Sequence, residues 1–333
     1  MKNSLLASKD IMASWFRGES RPVAVRWNLT YRCNFDCRYC NLPEKADRDE
    51  ELSTDKVLER LEEMGGEGVR RISFSGGEPL LREDIGEILD KAQEEGITAT
   101  MNTNGTLIPH RIDDIRNADL LKVSIDGPEE VHSRYRQDFE KVMDGVETAR
   151  EEGIPVTLAT TFTEANVDHL EEMVEIAQEH GTMIAIQRAS DLYENFGEAQ
   201  EILPSQEKAD EGMEKVMELK RENPGVIRNS MRHLRLIKDY PDHEQVSCTA
   251  GKLFYMVMPD GALRPCDRIP AQQELPNIED KSFGEAYREL DRVECYGCPF
   301  CGSMELNYLY NLEVDVISDL LKFLRTGGNR VET

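Results

Sequence analysis

The sequence lacks any long apolar run. Although 39% of its 333 residues are hydrophobic, no uninterrupted stretch approaches the roughly 18 apolar residues that a membrane-spanning helix needs. The N-terminal segment, MKNSLLASKDIMASWFRGES, also lacks the continuous apolar centre and the small-residue cleavage site of a secretory signal. We therefore expect a globular protein of the cytoplasm, large enough for one α/β domain and a smaller module.

Positive charge is also scarce. The chain has 40 Lys and Arg residues against 65 Asp and Glu residues, which gives a formal net charge of −25 at pH 7. A nucleic-acid-binding surface needs clustered Lys and Arg, and an acidic surface repels phosphate groups. We therefore expect no nucleic-acid partner.

Cysteine is absent from the long middle of the chain. The eight cysteines form one group near the start and another near the end, and residues 41–247 contain none. In a cytosolic protein, cysteines are more often metal ligands or redox groups than structural disulfides. Two metal sites are therefore predicted, one on Cys33, Cys37 and Cys40, and one among Cys248, Cys266, Cys295, Cys298 and Cys301.

The apolar pattern alternates between the period of a strand and that of a helix. Short β-rich runs are separated by longer stretches with apolar residues three and four positions apart, and a Gly stands where each such helix would end. This repeat predicts an α/β fold of βα units around a parallel sheet, with fewer units than the eight that close a full barrel. The six candidate strands cover residues 23–29, 70–74, 98–102, 121–124, 156–161 and 183–188.

The pattern changes after the sixth strand. Helical periodicity covers residues 208–221 and 230–237, and two strand-like runs then flank Pro259-Asp260-Gly261, which is typical of a hairpin turn. We expect an N-terminal amphipathic helix at 1–22, a partial (β/α)6 TIM-like barrel at 23–200, a helical linker at 201–244, a small hairpin-plus-helix module with cysteines at 245–310, and a C-terminal helix and tail at 311–333.

The first cysteine group has the spacing C-x3-C-x2-C and directly follows the first strand. Parallel α/β sheets place their ligands at this carboxyl edge. Three thiolates can hold three irons of a [4Fe–4S] cluster and leave the fourth iron open, whereas an electron-carrying cluster usually has four cysteine ligands. A zinc site with three ligands and water, or a redox pair of Cys37 and Cys40 with Cys33 incidental, are the alternatives.

A Gly-Gly-Glu-Pro sequence follows the second candidate strand. Gly76 and Gly77 expose backbone to a ligand, Glu78 offers a carboxylate to an ammonium group, and Pro79 suits the first turn of a helix. The Lys and Ser or Thr of a phosphate-binding loop are missing after the glycines. An ordinary tight turn is the alternative, but the loop lies one βα unit after the cysteines and at the same sheet edge.

Together the two motifs resemble the radical S-adenosylmethionine (SAM) superfamily. The resemblance implies a partial (β/α)6 barrel, and a [4Fe–4S] cluster on Cys33, Cys37 and Cys40 whose fourth iron is chelated by SAM. It also implies the reaction: an electron from a flavodoxin- or ferredoxin-type donor splits SAM, and the resulting 5′-deoxyadenosyl radical takes hydrogen from the substrate.

The resemblance also assigns residues around SAM. Tyr39 stands beside the adenine in relatives, and Gly76, Gly77, Glu78 and Pro79 match the segment that receives the methionine ammonium group. Further expected SAM-site residues are Asn104, Ser124 and Asp126, with Arg134 and Arg136 as candidates for the SAM carboxylate or as solvated charges. Substrate-side candidates, of which at least half are expected to be caps or core-edge polar groups, are Thr160, Thr161, Asn166, Gln187 and Arg188.

The second cysteine group resembles the SPASM and twitch extensions of radical SAM enzymes. Cys248 and Cys266 flank the hairpin with Gly261 between them, and five cysteines fill one four-thiolate cluster but not two. The resemblance implies one auxiliary [4Fe–4S] cluster, with a zinc knuckle as the alternative. Its expected ligands are Cys248, Cys266 and two of Cys295, Cys298 and Cys301, the first two of these three being preferred.

The substrate is expected to be a small molecule, such as a cofactor, tetrapyrrole or lipid precursor. Peptide-modifying relatives commonly carry a leader-recognition domain, and few residues precede the first candidate strand. A peptide or protein maturase and a non-enzymatic iron–sulfur or zinc protein are the alternatives. The N-terminal amphipathic helix is expected to cover the end of the barrel rather than to contact a membrane.

Overall fold

The computed structural model describes residues 21–45, 51–189, 203–240, 246–266, 275–290, 301–311 and 313. The expected N-terminal helix and the C-terminal helix and tail lie almost entirely outside these ranges. Within them, no helix combines the length and the apolar character that crossing a membrane requires.

A parallel sheet forms the centre of the fold. Each of its first five strands pairs in parallel with the next one along the chain, as the βα repeat predicts. The predicted strands are confirmed, with ends that differ by no more than two residues. They are β1 (Ala24–Thr30), β2 (Arg71–Gly76), β3 (Thr98–Thr103), β4 (Leu120–Ser124), β5 (Val156–Phe162) and β6 (Met183–Arg188).

The helices begin and end where the sequence supplies caps. The first of them starts after Ser53, whose side chain accepts from the backbone N–H of Lys56, and ends at Gly68 in the left-handed conformation. The described helices are α1 (Thr54–Glu67), α2 (Ile85–Glu94), α3 (Ile108–Arg111), α4 (Glu129–Tyr135), α5 (Phe139–Glu151), α6 (Leu170–Glu179), α7 (Gln206–Glu222), α8 (Met231–Lys238), α9 (Phe283–Glu289) and α10 (Cys301–Tyr310), with 3-10 turns at Pro43–Lys45, Pro79–Leu81, Ile112–Ile115 and Val167–His169.

Alternate strand residues face opposite sides of the sheet. Val25, Trp27 and Leu29 of β1 are buried in the hydrophobic core with the apolar residues of the surrounding helices. The residues between them therefore lie on the other face, which is the interior of the partial barrel. Strand β2 alternates in the same way, and its residues Ile72 and Phe74 belong to the core.

The predicted hairpin is present but does not stand apart from the barrel. Strands β7 (Phe254–Val257) and β8 (Leu263–Arg264) are antiparallel, and Gly261 in their turn has φ +85°. Strand β7 also pairs in parallel with β1, so the sheet order is β6-β5-β4-β3-β2-β1-β7-β8. Among the described strands the sheet stays open, with β6 and β8 at its edges.

Candidate active site

The segment that carries Cys33, Cys37 and Cys40 follows the carboxyl end of β1, and we call it the cysteine loop. Cys33, Cys37 and Cys40 are all half-buried and free of disulfides. The backbone N–H of Phe35 donates to Sγ of Cys33 at 3.4 Å, and that of Cys40 donates to the carbonyl oxygen of Cys37 at 3.0 Å. The loop thus gathers three soft sulfur donors at the sheet edge where ligands bind in this class of fold.

Burial governs the charge state of these thiols. It raises the pKa of Cys33 and raises that of Cys37 to about 12, against the opposing influence of the Arg136 guanidinium on Cys37. A metal that binds there must displace the protons, since only thiolates are ligands. Among the described residues, no three His, Cys, Asp or Glu side chains converge as ligands of one metal ion. A cluster does not require that convergence, because each thiolate binds a different iron, and the donor set fits a [4Fe–4S] cluster.

The two glycines after β2 support the cysteine loop directly. The N–H of Gly77 donates to the carbonyl of Thr30 and the N–H of Glu78 to that of Arg32, each at 2.8 Å. A Cβ on Gly76 would stand 2.2 Å from the Thr30 carbonyl oxygen, and one on Gly77 would stand 2.1 Å from that of Arg32. Only glycine allows this approach, so the Gly-Gly pair fixes where the cysteine loop begins.

The Glu78 carboxylate was expected to receive an ammonium group, but in the structure it binds groups of the protein itself. The side chain is fully buried, and its oxygens accept from the N–H of Leu80 at 3.1 Å, the hydroxyl of Thr103 at 2.8 Å and the N–H of Asn104 at 2.7 Å. Burial raises the pKa of Glu78 to about 7, in spite of these donors. The carboxylate therefore joins the second and third βα loops, and the acceptors left to a ligand on this loop are backbone carbonyls.

Asn104 extends this connection to the cysteine loop. Its Nδ2 donates to Oδ1 of Asn34 at 2.7 Å, and the Nδ2 of Asn34 donates to the hydroxyl of Thr106 at 3.0 Å. Asn34 lies between the first two cysteines, so the Thr-Asn-Gly loop holds the middle of the cysteine loop as the glycines hold its start.

Asp126 holds the far end of the cysteine loop. Its Oδ2 accepts from the Tyr39 hydroxyl and from Nε of Arg136, and its Oδ1 accepts from the N–H of Thr161 at 2.8 Å. The Arg136 guanidinium also lies over the Tyr39 ring, 5.4 Å from its centroid. The ring of Tyr39 is consequently fixed beside Cys40, where the resemblance places the adenine.

The two arginine candidates differ in their surroundings. Arg136 is 14% exposed and paired with Asp126, whereas Arg134 is exposed and lies against the ring of Tyr135 at 5.7 Å. Ser124, the last residue of β4, is half-buried on the interior face. Arg136 therefore neutralises the buried Asp126.

The substrate-side candidates divide into two sets. Thr161 and Gln187 lie on the interior face, because their neighbours along β5 and β6 belong to the core. Thr160 instead donates to the carbonyl of Ile125 at 2.8 Å, and fully buried Asn166 donates to the carbonyls of Asp126 and Thr161 at 3.0 and 2.8 Å. These two hold the loops after β4 and β5, as caps do.

The structure contradicts the expectation that Arg188 lies on the substrate side of the barrel. Its Nη1 donates to the carbonyls of Ile237 and Tyr240 at 3.2 and 3.1 Å, and its Nη2 donates to Oε1 of Gln206 at 3.0 Å. The side chain therefore points away from the barrel interior and satisfies the carbonyl end of α8. Burial lowers the pKa of its guanidinium.

The sequence interpretation missed a second support at the end of β1. Arg82 is buried, and its guanidinium donates to the carbonyls of Leu29 and Leu52 at 3.2 Å and to Asp84 at 2.6 Å. Glu51 accepts from the Thr30 hydroxyl and from Nε of Arg32. The available signal was the position of Arg82, directly after the Gly-Gly-Glu-Pro-Leu-Leu run, but its partners come from distant segments.

Two of the five distal cysteines are described in full. Cys248 and Cys266 are both half-buried on either side of the hairpin, and Cys301 begins α10, while Cys295 and Cys298 lie outside the described residues. Thr249, next to Cys248, donates to Oδ1 of Asn307 on α10 from its N–H at 2.9 Å and from its hydroxyl at 2.6 Å. The helix that starts with one distal cysteine is thus bonded beside another.

Comparison with known proteins identifies the family of the barrel region. Residues 27–177 match the model of the radical SAM superfamily. This range is a radical SAM domain. The match confirms the expected domain and the cofactors of that family, a [4Fe–4S] cluster and SAM, and the matched range contains the cysteine loop, the Gly-Gly-Glu-Pro loop and the Asp126 loop.

Similar curated proteins match about half of this chain. Fe-coproporphyrin III synthase of Methanosarcina barkeri is 33% identical over 171 residues, which are 49% of this chain and 43% of that protein. A probable GTP 3′,8-cyclase of Halobacterium salinarum is 34% identical over 164 residues, 45% of this chain and 46% of the other. The matched part of this chain thus spans less than half the length of either relative.

Among solved structures, Streptococcus suis SuiB bound to S-adenosylmethionine is similar in fold. The TM-score is 0.68 at 17% sequence identity, over 88% of this chain and 70% of that one. This likeness confirms the partial-barrel fold class.

Proposed function

We propose that the protein is a radical SAM enzyme that holds a [4Fe–4S] cluster through Cys33, Cys37 and Cys40 and acts on a small-molecule substrate. The observation that carries the proposal is the three-cysteine loop, which Gly77, Glu78 and Asn104 hold against the carboxyl edge of an open parallel sheet. When bound, the cluster and SAM supply a 5′-deoxyadenosyl radical that removes hydrogen from the substrate.

The chain's own residues position and shield this chemistry. The three cysteines would hold three irons of the cluster, which would leave the fourth iron for SAM. Backbone carbonyls of the Gly-Gly loop are the acceptors for the SAM ammonium group, since Glu78 is already engaged by Leu80, Thr103 and Asn104. The fixed ring of Tyr39 supplies an apolar surface for the adenine.

The relatives favour a cofactor or tetrapyrrole precursor as substrate. The names of these two relatives refer to a coproporphyrin and to GTP, which are both small molecules. The interior face of the barrel, with Thr161 and Gln187 near its mouth, is the surface that would receive such a molecule. A cytoplasmic location and a flavodoxin- or ferredoxin-type donor stay predictions.

We also propose one auxiliary [4Fe–4S] cluster, bound by Cys248, Cys266 and two of Cys295, Cys298 and Cys301. The bonds from Thr249 to Asn307 support this arrangement, because they hold the start of the hairpin segment next to α10. Soft thiolates in such a set suit iron as well as zinc, so metal analysis is part of the test.

The test is SAM cleavage by the anaerobically reconstituted full chain, with 5′-deoxyadenosine measured by mass spectrometry. Reduced protein is expected to form it, and Cys37→Ser is expected to form none. Iron content near eight per chain is expected, falling to about four in Cys248→Ser together with Cys266→Ser. Absence of 5′-deoxyadenosine from protein with a full complement of iron contradicts the proposal, and iron near four in the unaltered chain contradicts the second cluster.

A further inference from the structure

His132 on α4 is a buried histidine next to the loop that carries Asp126. Its side chain is fully buried, and its ring meets the Phe139 ring edge-on with the two centroids 5.6 Å apart. Nδ1 of the imidazole lies 3.2 Å from the backbone nitrogen of Asp126, and Nε2 lies 3.1 Å from the carbonyl oxygen of Gln137. The imidazole therefore bridges the loop before α4 and the turn after it.

These two partners determine which ring nitrogen carries the proton. The backbone N–H of Asp126 is a donor, so Nδ1 must be the unprotonated acceptor. The Gln137 carbonyl is an acceptor, so Nε2 must carry the hydrogen. Burial lowers the pKa of His132 to about 4, although the Asp126 carboxylate acts in the opposite direction. The ring is therefore neutral at pH 7, in the tautomer that both contacts require.

The backbone on either side of α4 has the special conformations that these contacts need. Gly127 has φ +149°, and a Cβ there would stand 2.7 Å from Cβ of Val131. Only glycine therefore lets the loop pass this close to the first turn of the helix. After the helix, Asp138 has φ +47°, a left-handed conformation that is uncommon for residues other than glycine. The Gln137 carbonyl that His132 binds directly precedes this residue.

The two segments that His132 joins also carry the ion pair that holds Tyr39. Nε of Arg136 donates to Oδ2 of Asp126, and the Tyr39 hydroxyl donates to the same oxygen. Arg136 is the neighbour of Gln137 in the chain, so His132 binds the backbone next to each member of the pair. Because imidazole is a rigid ring, it sets the separation between the two backbone segments from which Asp126 and Arg136 reach each other.

We propose that His132 is a positioning residue for SAM binding. It fixes the backbone of Asp126 relative to that of Gln137, and thereby holds the Asp126–Arg136 pair and the Tyr39 ring where the adenine is expected. This rests on the proposed function, since SAM is the ligand that the arrangement serves. His132 acts through Asp126 and Arg136, so it is not a catalytic residue.

Asparagine and glutamine each reproduce one half of the histidine. The amide oxygen of Asn takes the place of Nδ1, so His132→Asn keeps an acceptor for the Asp126 N–H and loses the donor to Gln137. The amide nitrogen of Gln takes the place of Nε2, so His132→Gln keeps the donor and leaves the buried Asp126 N–H unpaired. Gln137 is exposed and its carbonyl has a second lone pair, so the loss in His132→Asn is the milder one.

The first measurement follows the Tyr39 ring in the metal-free chain. The NMR signal of tyrosine labelled with carbon-13 at Cζ reports on the hydrogen bond of its hydroxyl, and Tyr39→Phe identifies the signal of Tyr39. His132→Gln is expected to shift this signal, and His132→Asn is expected to leave it close to that of the unaltered chain. An unchanged Tyr39 signal in folded His132→Gln would overturn the proposal.

The second measurement is the affinity of the anaerobically reconstituted full chain for SAM, by equilibrium dialysis. We expect the dissociation constant to rise about tenfold in His132→Gln, and less than about threefold in His132→Asn. His110→Asn is the matched control, because His110 is exposed on α3, and it is expected to change the constant less than about twofold. Iron content and thermal unfolding verify that each variant is loaded and folded.

The contrast between the two amide variants separates positioning from support of the fold. Loss of stability alone does not change SAM affinity at temperatures well below unfolding, so unaltered affinity in His132→Gln would overturn the proposal. Equal weakening in His132→Gln and His132→Asn would also overturn it, because the Asp126 contact would then not matter. If the unaltered chain bound no SAM, the proposed function would be contradicted, whereas a Tyr39 signal that moves only in His132→Gln would still support the role of His132 in placing the ring.

Discussion

Gly77→Ala tests how the second βα loop supports the cysteine loop. The new Cβ would stand 2.1 Å from the carbonyl oxygen of Arg32, 2.6 Å from its carbon and 2.7 Å from the carbonyl oxygen of Tyr31. Carbon and oxygen atoms in ordinary contact are about 3.5 Å apart, so the backbone before Cys33 must retreat by about 1.4 Å. No flexible side chain can absorb this movement, because all three atoms belong to the backbone.

The expected loss of stability follows from the two hydrogen bonds that this movement breaks. The hydrogen bonds from Gly77 N to Thr30 O and from Glu78 N to Arg32 O, both 2.8 Å, would lengthen past their useful range. Their loss costs about 2 kcal/mol, and the strain of overpacking adds about 1 to 3 kcal/mol. We therefore expect Gly77→Ala to lower the free energy of unfolding of the metal-free chain by about 3 to 5 kcal/mol.

Two measurements check this reasoning. Urea unfolding gives the stability of the metal-free chain, and iron content after reconstitution is expected to fall by about four per chain. Gly66→Ala is the matched control, because Gly66 is exposed on α1 with nothing within 4 Å of its Cβ position. It is expected to stabilise the protein by up to about 1 kcal/mol. Unchanged stability and full iron in Gly77→Ala would refute the role of the glycine.

Two further predictions concern buried carboxylates. Because burial raises the pKa of Glu78 from 4.5 to about 7, the folded metal-free chain keeps a proton that the unfolded chain has lost across that window. Its stability relative to Glu78→Gln is expected to fall by about 3 kcal/mol as pH rises from 4.5 to 7, and parallel profiles would contradict this. Asp126→Asn leaves Arg136 without its partner and is expected to cost about 3 kcal/mol in urea unfolding. Asp113→Asn is the control, because 86% of the Asp113 side chain is exposed, and it should lower the free energy of unfolding by less than about 0.5 kcal/mol. Equal losses in the two variants would contradict the role of the buried Asp126–Arg136 pair.

The sequence predicted the βα repeat well because its signal is local. Strand β6 has the predicted bounds, and alternation of core residues such as Ile184 and Ile186 fixes which side chains share a face. The parallel pairing of β7 with β1 could not be predicted from the sequence, because it joins segments about 230 residues apart. The hairpin was therefore expected in a separate module rather than in the barrel sheet.

Motifs in the sequence identify the candidate site residues, but the contacts of these residues depend on distant partners. The cysteines and the Gly-Gly pair are recognisable from spacing, whereas the burial of Glu78 depends on Thr103 and Asn104 of another loop. Arg188 was misplaced although it alternates in phase with the core residues Ile184 and Ile186, which puts it on the outer face of β6. The strand period therefore carried this signal, whereas the partners of Arg188 on α7 and α8 come from distant segments.

The most direct test of the account is the electron paramagnetic resonance spectrum of the reduced chain in which Cys248 and Cys266 are replaced by Ser. Its remaining cluster is the one assigned to Cys33, Cys37 and Cys40. Addition of SAM is predicted to change this spectrum, because SAM occupies the position that three cysteines leave open. Identical spectra with and without SAM, in protein that retains about four irons per chain, would contradict the central claim.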